Sequence, residues 1–373
     1  MKIIIASAGG GHFSPVLSVI KRLSKAEVIV IGRKYGIEGD RTAESLEYKI
    51  CKSLDLRFIS LTTGRLQRKF TKYTLLSLAK IPFGIIQSFT FLIKEKPDIV
   101  LSFGGYIGIP VVVSAWLLNI PVIIHEQALT IGLGNKFAAI FAKKVCISWE
   151  TSLPFFPNKK TVLTGNPIKD EFINLDVDNI NPVKFGFKSK NPLLYITGGS
   201  IGSHSINNLV EKSLPDLLQS CNVLHQTGDA TEFNDFNRLI QLRKNLPENL
   251  RQNYIIKKFL TSKEAVEAIT SANLVISRAG IGTITELLYI GVPSIILPIQ
   301  DNLEQEANAV FIEEKGSAEI IRSINATSQN FIEVVNKMIL NESKYRNMAQ
   351  KNKKLIKKDS ADKIVAVLQD YLK

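Results

Sequence analysis

Residues 274–298 read LVISRAGIGTITELLYIGVPSIILP, and this stretch indicates the fold. An apolar run ends at a glycine-rich loop, a helix-length segment follows, and a second apolar run begins after a glycine and a proline. Runs that are apolar at nearly every position are typical of parallel strands covered on both faces. The stretch therefore predicts a strand–loop–helix–strand unit of a parallel α/β sheet.

The same alternation continues through the 373-residue chain and predicts doubly wound sheets. It restarts near residue 192, after a segment at 161–192 that is rich in Asn, Pro and Asp and has the composition of a linker. We therefore expect two Rossmann-like domains, with the carboxyl ends of both sheets lining a cleft. The predicted strands are Ile3–Ala6, Val28–Ile31, Phe58–Leu61, Ile99–Ser102, Val122–His125, Lys144–Ile147, Leu193–Thr197, Val223–Gln226, Tyr254–Ile256, Leu274–Ser277, Ser294–Leu297 and Ala318–Ile321.

Composition and charge exclude several classes of protein. Hydrophobic residues make up 45% and charged residues 22%, which excludes a disordered or collagen-like chain. Three cysteines without C-x-x-C spacing indicate neither a disulfide framework nor a zinc site, so we expect a reducing compartment. The net charge of +13 is uneven, because residues 1–165 carry 22 basic and 10 acidic residues. This excess predicts contact with an anionic surface, and the alternative is an ordinary basic protein.

One segment is long enough to span a bilayer. Residues 99–125 contain no Asp, Glu, Lys or Arg. Glycines, prolines and an asparagine interrupt the segment, however. We interpret it as a strand, a glycine turn, a buried helix and a second strand.

Two further loops, each between a strand and a helix, are rich in glycine. The first spans 7–12 (SAGGGH) and the second spans 198–203 (GGSIGS). Glycines there let backbone N–H groups approach a phosphate, and the start of the following helix favours an anion. The alternative for both loops is a tight turn without a ligand. His12 is a candidate general base, a candidate donor to an anion, or a helix cap.

The loop at 278–283 is followed one helical turn later by a carboxylate, Glu286. Such a pair can bind a diphosphate through the loop and two vicinal ribose hydroxyls through the carboxylate. NAD is disfavoured because the second strand ends in Arg33 and Lys34, where that cofactor usually requires an acid, although NADP would tolerate a basic residue there. The pattern indicates a nucleotide diphosphate, with a solvated helix residue as the alternative for Glu286.

Seven short motifs then occur in the order of one family. They are GGGHxxP at 9–15, GGY at 104–106, HEQ at 125–127, GNP at 165–167, GGSxG at 198–202, HQTG at 225–228 and RAGxxTxxE at 278–286. By these motifs the chain resembles the MurG family over almost its whole length. Members of that family transfer N-acetylglucosamine from UDP-GlcNAc to an undecaprenyl-diphosphate-linked muramyl peptide, which converts lipid I to lipid II.

The resemblance implies a GT-B glycosyltransferase fold, with two Rossmann-like parallel-sheet domains facing a cleft. It implies an N-terminal acceptor and membrane-binding domain at 1–165 and a C-terminal UDP-sugar-binding domain at 166–349. A last helix at about 350–373 would pack back on the first domain. No recognisable motif binds a cofactor or a metal, and a divalent cation is permitted but not required. The DxD-like pattern at 176–178 is interpreted as plain loop.

The resemblance also assigns site residues by match to the family motifs. Those implied for proton transfer are His12 and Glu126. Those implied for the acceptor are Gly9, Gly10, Gly11, Tyr106 and His125. Those implied for the UDP-sugar donor are Gly10, Gly11, Lys169, Ser200, Leu260, Ile281, Gly282, Thr283, Ile284, Thr285, Glu286 and Gln305. Ser200 would contact the diphosphate, Glu286 the ribose hydroxyls and Gln305 the sugar.

Five positions depart from the family pattern. Ala128 stands where Asn is usual and Ile281 where Ala is usual, so the sugar pocket would lose an amide and gain bulk. Gly9, Lys169 and Glu304 replace the usual Thr, Arg and His or Gln. We therefore expect either a shifted sugar preference or a different lipid-linked acceptor, such as that of a pseudomurein-type wall.

Residues 65–96 combine an apolar run with basic flanks. This composition predicts an element that lies on an anionic membrane surface, and the alternative is an apolar face packed in the core. The predicted patch consists of Lys69, Lys72, Leu75, Leu76, Ile81, Phe83, Ile85 and Phe89. By resemblance we expect a cytoplasmic enzyme that is peripheral on the inner face of the cell membrane. We expect no binding of nucleic acid, because the sequence has no recognisable nucleic-acid-binding motif.

Two other readings of the motifs stay open beside the lipid I transferase. One is another UDP-sugar enzyme on this fold, such as a UDP-GlcNAc 2-epimerase or a glycolipid synthase. The other is a non-catalytic subunit that binds a UDP-sugar. An epimerase needs no membrane patch, and a non-catalytic subunit would release no UDP with any donor–acceptor pair.

Overall fold

The chain folds into two compact units in the computed structural model. Unit 1 is Met1–Lys169 with Lys357–Lys373, and unit 2 is Asp170–Ile356. The predicted borders at 165 and about 350 fall a few residues before these. The first segment of unit 1 extends beyond 165, where the hydroxyl of Ser18 donates to the carbonyl oxygen of Ile168 (2.7 Å). The structure describes residues 1–7, 9, 13–35, 44–64, 74–174, 185–199, 201–228 and 232–372, without the side chains at 74–76 and 78.

Unit 1 contains a sheet of seven parallel strands in the order β3-β2-β1-β4-β5-β6-β7. The strands are β1 Lys2–Ala6, β2 Glu27–Gly32, β3 Arg57–Ser60, β4 Ile99–Ser102, β5 Val122–Glu126, β6 Lys144–Ile147 and β7 Thr161–Leu163. Six of the seven were predicted from continuous apolar runs. Strand β7 was missed because it lies at the edge of the sheet and its side chains are half-buried or exposed.

Unit 2 contains a sheet of six parallel strands in the order β10-β9-β8-β11-β12-β13. The strands are β8 Leu193–Thr197, β9 Asn222–Gln226, β10 Tyr254–Lys257, β11 Leu274–Ser277, β12 Ser294–Ile296 and β13 Ala318–Ile320. All six were predicted to within a residue at each end. The two parallel sheets confirm the predicted α/β class and the restart of the pattern near residue 192.

Helices connect consecutive strands and cover both sheets. In unit 1 they are α1 Phe13–Ile20, α2 Leu46–Ser53, α3 Thr74–Glu95, α4 Gly105–Leu117, α5 Leu133–Ala138 and a 3-10 helix at Glu150–Phe155. In unit 2 they are α6 Asp170–Ile173, α7 His204–Ser220, α8 Asp235–Asn245, α9 Glu248–Arg251, α10 Ser262–Ser271, α11 Ile281–Ile290, α12 Leu303–Glu314, α13 Ser328–Leu340 and α14 Glu342–Asn352, with 3-10 helices at Ser323–Asn325 and Lys353–Leu355. The last helix, α15 Ser360–Gln369, returns to unit 1.

Helix α15 completes the core of unit 1. Its Ile364 and Leu368 are fully buried in one cluster with Val16 and Val19 of α1. Gly165, in the turn after β7, has a φ of +86° and lies against the hydroxyl of Ser360 at the start of α15. The chain end therefore packs on the first half of the sequence, although more than 180 residues of unit 2 intervene.

The uncharged segment at 99–125 folds as predicted into β4, the Gly104–Gly105 turn, α4 and the start of β5. Both glycines of the turn have positive φ angles, +82° and +73°, a conformation that side chains with a Cβ rarely adopt. Both strands and most of α4 are buried. No helix within the described residues is long and apolar enough to cross a bilayer.

Candidate functional site

The described residues of the motifs in unit 2 follow its strands at the carboxyl edge of the sheet. Strand β8 leads into Gly198 and Gly199, β10 into Leu260, β11 into Arg278, and β12 into the loop before Gln305. In doubly wound sheets this edge is the usual ligand-binding edge. The topology therefore brings motifs that are 100 residues apart in sequence to one side of unit 2.

Helix α11 begins at this edge without a side-chain cap. Its N-cap residue is Gly280, so no cap side chain accepts from the first N–H groups of the helix. Gly282, Thr283 and Glu286 are half-buried and lie on one face, because residues three and four apart are neighbours on a helix. An uncapped helix start with a carboxylate one turn later can bind an anion and a diol together.

The other residues of this predicted stretch serve the core. Ile281, Ile284 and Thr285 are buried, and the Thr285 hydroxyl donates to the carbonyl oxygen of Ile281 (2.8 Å). Ile281 is only 4% exposed, and the expectation that it adds bulk to a sugar pocket stays a prediction. Ala128 is also buried, at 6% exposure. Neither departure from the family pattern presents a side chain to an open surface in this structure.

Arg278 ties together three loops at this edge. Its guanidinium donates to the hydroxyls of Ser203 and Ser205 at the start of α7, and to the carbonyl oxygens of Leu297 and Pro298 after β12. Burial lowers the pKa of Arg278 from its ordinary value, yet the group stays cationic. The acceptors that the described residues provide are neutral hydroxyl and carbonyl oxygens. The guanidinium of Arg278 therefore adds a positive charge to this edge of the sheet. The RAG motif was noted in the sequence, but this role of its arginine was missed.

The glycine loop after β8 has a shape that larger residues would obstruct. Gly199 and Gly202 have φ angles of +85° and +87°, and a Cβ on Gly202 would lie 2.1 Å from the carbonyl oxygen of Thr227. A Cβ on Gly228 would likewise lie 2.2 Å from the backbone nitrogen of Gly202. Ser200, predicted to contact the diphosphate, lies outside the described residues.

A buried hydrogen-bond network explains the HQTG motif. His225 Nε2 lies 3.0 Å from Asn207 Oδ1, and its Nδ1 lies 3.0 Å from the Tyr254 hydroxyl. Asn207 in turn donates through Nδ2 to Asp235 and to the carbonyl oxygen of Thr227. Because that amide already donates through nitrogen, its oxygen accepts the Nε2 proton, and Nδ1 accepts from Tyr254. Burial lowers the pKa of His225 to about 3, so the ring is neutral and structural.

Gln305 and Leu260 occupy loops at the same edge. The N–H of Gln305 donates to the cap side chain of Asn302 (3.1 Å), and its side-chain oxygen accepts from the N–H of Ile299 (3.0 Å). Leu260 is half-buried beside Phe259, an aromatic residue that is 48% exposed. Phe259 was not predicted from the sequence, where its only signal is its place two residues after the end of β10.

In unit 1 the first glycine loop is described only at its start. Gly10, Gly11 and His12 lie outside the described residues. Gly9 has a φ of +99°, and its N–H donates to the carboxylate of Glu47, which is 1% exposed (3.3 Å). Arg33 donates to the same carboxylate oxygen (3.1 Å). The basic residue that argued against NAD therefore neutralises a buried carboxylate.

Glu126, a predicted proton-transfer residue, is built into a loop at the end of β5. Its carboxylate accepts hydrogen bonds from the N–H groups of Ala128 (3.0 Å) and Gly132 (3.2 Å) and from the side-chain amide of Asn135 (3.1 Å). The side chain is 3% exposed. This geometry holds the loop from 126 to 135 in place, and the catalytic role of Glu126 stays a prediction.

The predicted acceptor residues His125 and Tyr106 differ in exposure. His125 is fully buried, and its Nε2 lies 3.2 Å from the Ser148 hydroxyl and 3.4 Å from the carbonyl oxygen of Gly165. Tyr106 is half-buried at the start of α4, directly after the Gly104–Gly105 turn. Lys169 is half-buried and is the last residue of the first segment of unit 1.

The predicted membrane patch falls on α3, which has one exposed apolar face. Phe83, Ile86 and Ile93 are 57%, 66% and 50% exposed, at the spacing of one helix face. Ile81, Ile85 and Phe89 of the predicted patch are half-buried instead. Lys69 and Lys72, and the side chains of Leu75 and Leu76, lie outside the described residues.

Both single-domain models and full-length proteins match this chain. The glycosyltransferase family 28 N-terminal domain model matches residues 3–147, and the C-terminal domain model matches residues 193–364. Two relatives, from Clostridium botulinum (strain Kyoto / Type A2) and Clostridium kluyveri, are named UDP-N-acetylglucosamine–N-acetylmuramyl-(pentapeptide) pyrophosphoryl-undecaprenol N-acetylglucosamine transferase. The first is 33% identical over 95% of both chains, and the second is 31% identical over the full length of both.

The structure of Acinetobacter baumannii MurG superimposes with a TM-score of 0.73, at 25% identity and over 99% of both chains. This chain belongs to the MurG family within glycosyltransferase family 28. Its fold is accordingly the GT-B glycosyltransferase fold that the motifs predicted. A UDP-GlcNAc 2-epimerase from Neisseria meningitidis has a similar structure, with a TM-score of 0.64 over 99% of this chain and 100% of that chain. The two sequences are only 16% identical, so this similarity shows the fold alone.

Proposed function

We propose that this chain is an inverting glycosyltransferase that moves N-acetylglucosamine from UDP-GlcNAc to a polyprenyl-diphosphate-linked N-acetylmuramyl-pentapeptide, converting lipid I to lipid II. The names of its full-length relatives support both substrates. The observation that carries the proposal is the start of α11, where an uncapped helix end and Glu286 lie on the same face beside the cation of Arg278.

In this proposal unit 2 binds the donor. The N–H groups at the start of α11 and the charge of Arg278 stabilise the diphosphate, and Glu286 accepts from the two ribose hydroxyls. Leu260 presents its backbone to uracil, and the exposed ring of Phe259 beside it is positioned to cover the base. Ser200 keeps its predicted contact with the diphosphate, and Gln305 keeps its predicted contact with the sugar.

The reaction exchanges one glycosidic bond for another. A hydroxyl of the muramyl sugar attacks C1 of N-acetylglucosamine, the bond from C1 to the β-phosphate oxygen breaks, and the hydroxyl proton passes to a base. Charge develops on the departing UDP, where the α11 start and Arg278 can stabilise it without proton transfer. His12 is the better candidate for the base, because the carboxylate of Glu126 already accepts three internal hydrogen bonds.

Unit 1 carries the acceptor and membrane-facing roles in the proposal. Gly9, Gly10, Gly11, Tyr106 and His125 form the acceptor set, and the exposed face of α3 lies on the anionic inner face of the cell membrane. The charges support this division, since unit 1 has 27 basic and 13 acidic residues, whereas unit 2 has 20 and 21. The enzyme would therefore act as a peripheral protein on the cytoplasmic side.

Thermal-shift titration with UDP-GlcNAc, UDP-GalNAc and UDP tests the donor site. We expect UDP-GlcNAc to raise the melting temperature most, and Glu286→Gln to weaken UDP binding about tenfold through loss of a charge-assisted hydrogen bond. Glu314→Gln, an exposed carboxylate on α12, is the matched control and should bind like the wild type. A preference for UDP-GalNAc, or equal binding by Glu286→Gln and wild type, would contradict this assignment.

A further inference from the structure

A groove on unit 1 has no role in the donor chemistry. It runs along α5 and the 3-10 helix at Glu150–Phe155, and its volume is about 660 Å³. That volume lies within the roughly 300–1,000 Å³ that is typical of small-molecule sites. Its lining includes Leu133, Phe137, Ile140 and Phe155.

These four apolar side chains are more exposed to solvent than is usual for Leu, Phe and Ile. Their exposed fractions are 54%, 43%, 65% and 55% in chain order. A contiguous apolar surface of this kind normally marks a binding site. The ring of Phe137 lies 5.3 Å from that of Phe141, which in turn lies 5.1 Å from Trp116 at the end of α4, so the apolar surface continues beyond the groove.

The groove starts at the predicted acceptor residues. The N–H of Gly132, the cap of α5, donates to Glu126, and a Cβ on the next glycine of α5, Gly134, would lie 3.5 Å from the carbonyl oxygen of Gly105. Gly105 begins α4 and precedes Tyr106. A ligand whose diphosphate lay at the Gly104–Tyr106 turn could therefore extend directly along Leu133 and into the groove.

Two lysines give the groove a cationic rim. Lys160 donates to the carbonyl oxygen of Ile140 (3.1 Å), which places its ammonium at the end of α5 and its aliphatic stem along the groove. Lys136 is exposed and also lines the groove. Long cationic side chains commonly cover apolar ligands in this way while their charges face water or phosphate.

We propose that this groove binds the prenyl chain of the lipid-linked acceptor, with the two isoprene units nearest the diphosphate beside Leu133 and the later units along Phe137 and Phe155. The inference rests on the proposed function, which supplies an acceptor of that chemistry. A concave apolar groove of this size encloses one chain, whereas a protein partner would bury about 800 Å² per side. The cationic rim matches a chain that carries a diphosphate at one end.

Transfer kinetics with two acceptors test the proposal. Both carry the same muramyl-pentapeptide diphosphate, one on an undecaprenyl chain and one on a geranyl chain, and both are assayed in detergent solution without a membrane. Phe137→Asp and Phe155→Asp should raise the KM for the undecaprenyl acceptor about tenfold, which corresponds to about 1.4 kcal/mol. The KM for the geranyl acceptor and both kcat values should stay within about twofold of wild type.

The control is Leu340→Asp on unit 2, where the leucine is 85% exposed. It should match wild type with both acceptors. An unchanged KM for the undecaprenyl acceptor, or an equal rise for both acceptors, would overturn the prenyl assignment. So would loss of liposome binding with unchanged kinetics in detergent, which would make the groove a membrane contact. Failure of the wild type to use either acceptor would instead contradict the proposed function.

Discussion

The carboxylate of Glu126 holds the loop between β5 and α5 through three N–H donors. We predict that Glu126→Gln lowers the free energy of unfolding of unit 1 by about 2 kcal/mol, because an amide nitrogen would face donors that now bind a charged oxygen. Calorimetric unfolding measures the change. Glu150→Gln is the control, since that carboxylate is exposed on the 3-10 helix after β6.

The same variant separates two roles for the residue. A group that only positions the loop would lose stability and keep most of its kcat once the variant is folded. Loss of a general base would lower kcat by about 10²- to 10⁴-fold without a comparable loss of stability. The second result would contradict the structural role that the hydrogen bonds support.

His225 makes the stability of unit 2 depend on pH. Burial lowers its pKa to about 3 in the folded chain, whereas its ordinary value is 6.5. Between these values the unfolded chain binds a proton that the folded chain does not bind. The free energy of unfolding of unit 2 therefore does not depend on this ring's protonation above pH 6.5. As the pH drops from 6.5 toward 3, the ring lowers that free energy by up to about 1.4 kcal/mol per pH unit.

Urea unfolding at pH 7.5, 6 and 5 checks this prediction. In His225→Gln the part of the pH dependence that comes from this ring should disappear, although the variant is less stable at every pH. The matched comparison is His204→Gln, whose histidine is half-exposed beside Asp235. An identical pH profile for His225→Gln and wild type would contradict the neutral, buried state of the ring.

The sequence predicted where the candidate donor residues lie in the fold better than what each side chain contacts. Spacing alone marked the loop and Glu286, because a helix places residues three and four apart on one face. It could not show that Ile281 is buried or that Arg278 links α7 to the end of β12, since these depend on long-range packing. The first glycine loop stays a prediction beyond Gly9.

At the scale of elements, the turn between β7 and α6 depends on a glycine. Gly165 has a φ of +86°, and a Cβ there would lie 2.5 Å from the Ser360 hydroxyl of α15. We predict that Gly165→Ala lowers the melting temperature and costs about 2–4 kcal/mol, from backbone strain and displacement of α15. Differential scanning calorimetry measures the loss.

Gly186→Ala is a matched control for that change. Gly186 has the same φ of +86°, but no atom lies within 4 Å of its would-be Cβ. It should therefore show the backbone strain alone, about 1–2 kcal/mol. If the two variants lost the same free energy of unfolding, the contact between the turn and α15 would contribute nothing to stability.

Helix α3 presents Phe83 and Ile86 on one exposed face. If this face lies on the membrane, Ile86→Asp should weaken binding to anionic liposomes about tenfold or more, because a buried aliphatic side chain contributes about 1.5–3 kcal/mol. Sedimentation with liposomes measures the effect, and Ile324→Asp, at an 89% exposed position of unit 2, is the control. Unchanged binding by Ile86→Asp would place the membrane contact elsewhere.

The strands were predictable because both faces of each sheet are covered, so β-branched runs stand out from their surroundings. Strand β7 was not, since an edge strand with half-exposed side chains resembles the linker in which it lies. Of the predicted patch on α3, Phe83 is exposed, whereas its other described members are half-buried. Apolar residues occur around most of that helix, and only the packing of α4 against it determines which of them are exposed.

For the whole molecule, the net charge divides between the units. Unit 1 carries 27 basic and 13 acidic residues, whereas unit 2 carries 20 and 21. We predict that binding of the full chain to anionic liposomes falls steeply between 50 and 500 mM salt, as screening shortens the range of the charges. Liposomes of neutral lipid are the control, and equal binding to both kinds would contradict an electrostatic contribution.

The central claim is the transfer reaction, and product analysis tests it most directly. The full chain is incubated with UDP-GlcNAc and a polyprenyl-diphosphate-linked N-acetylmuramyl-pentapeptide, and released UDP and the lipid product are measured by mass spectrometry. We expect one UDP to be released for each acceptor that gains one N-acetylglucosamine. Conversion of UDP-GlcNAc to its 2-epimer, or no UDP release with any donor–acceptor pair, would contradict it.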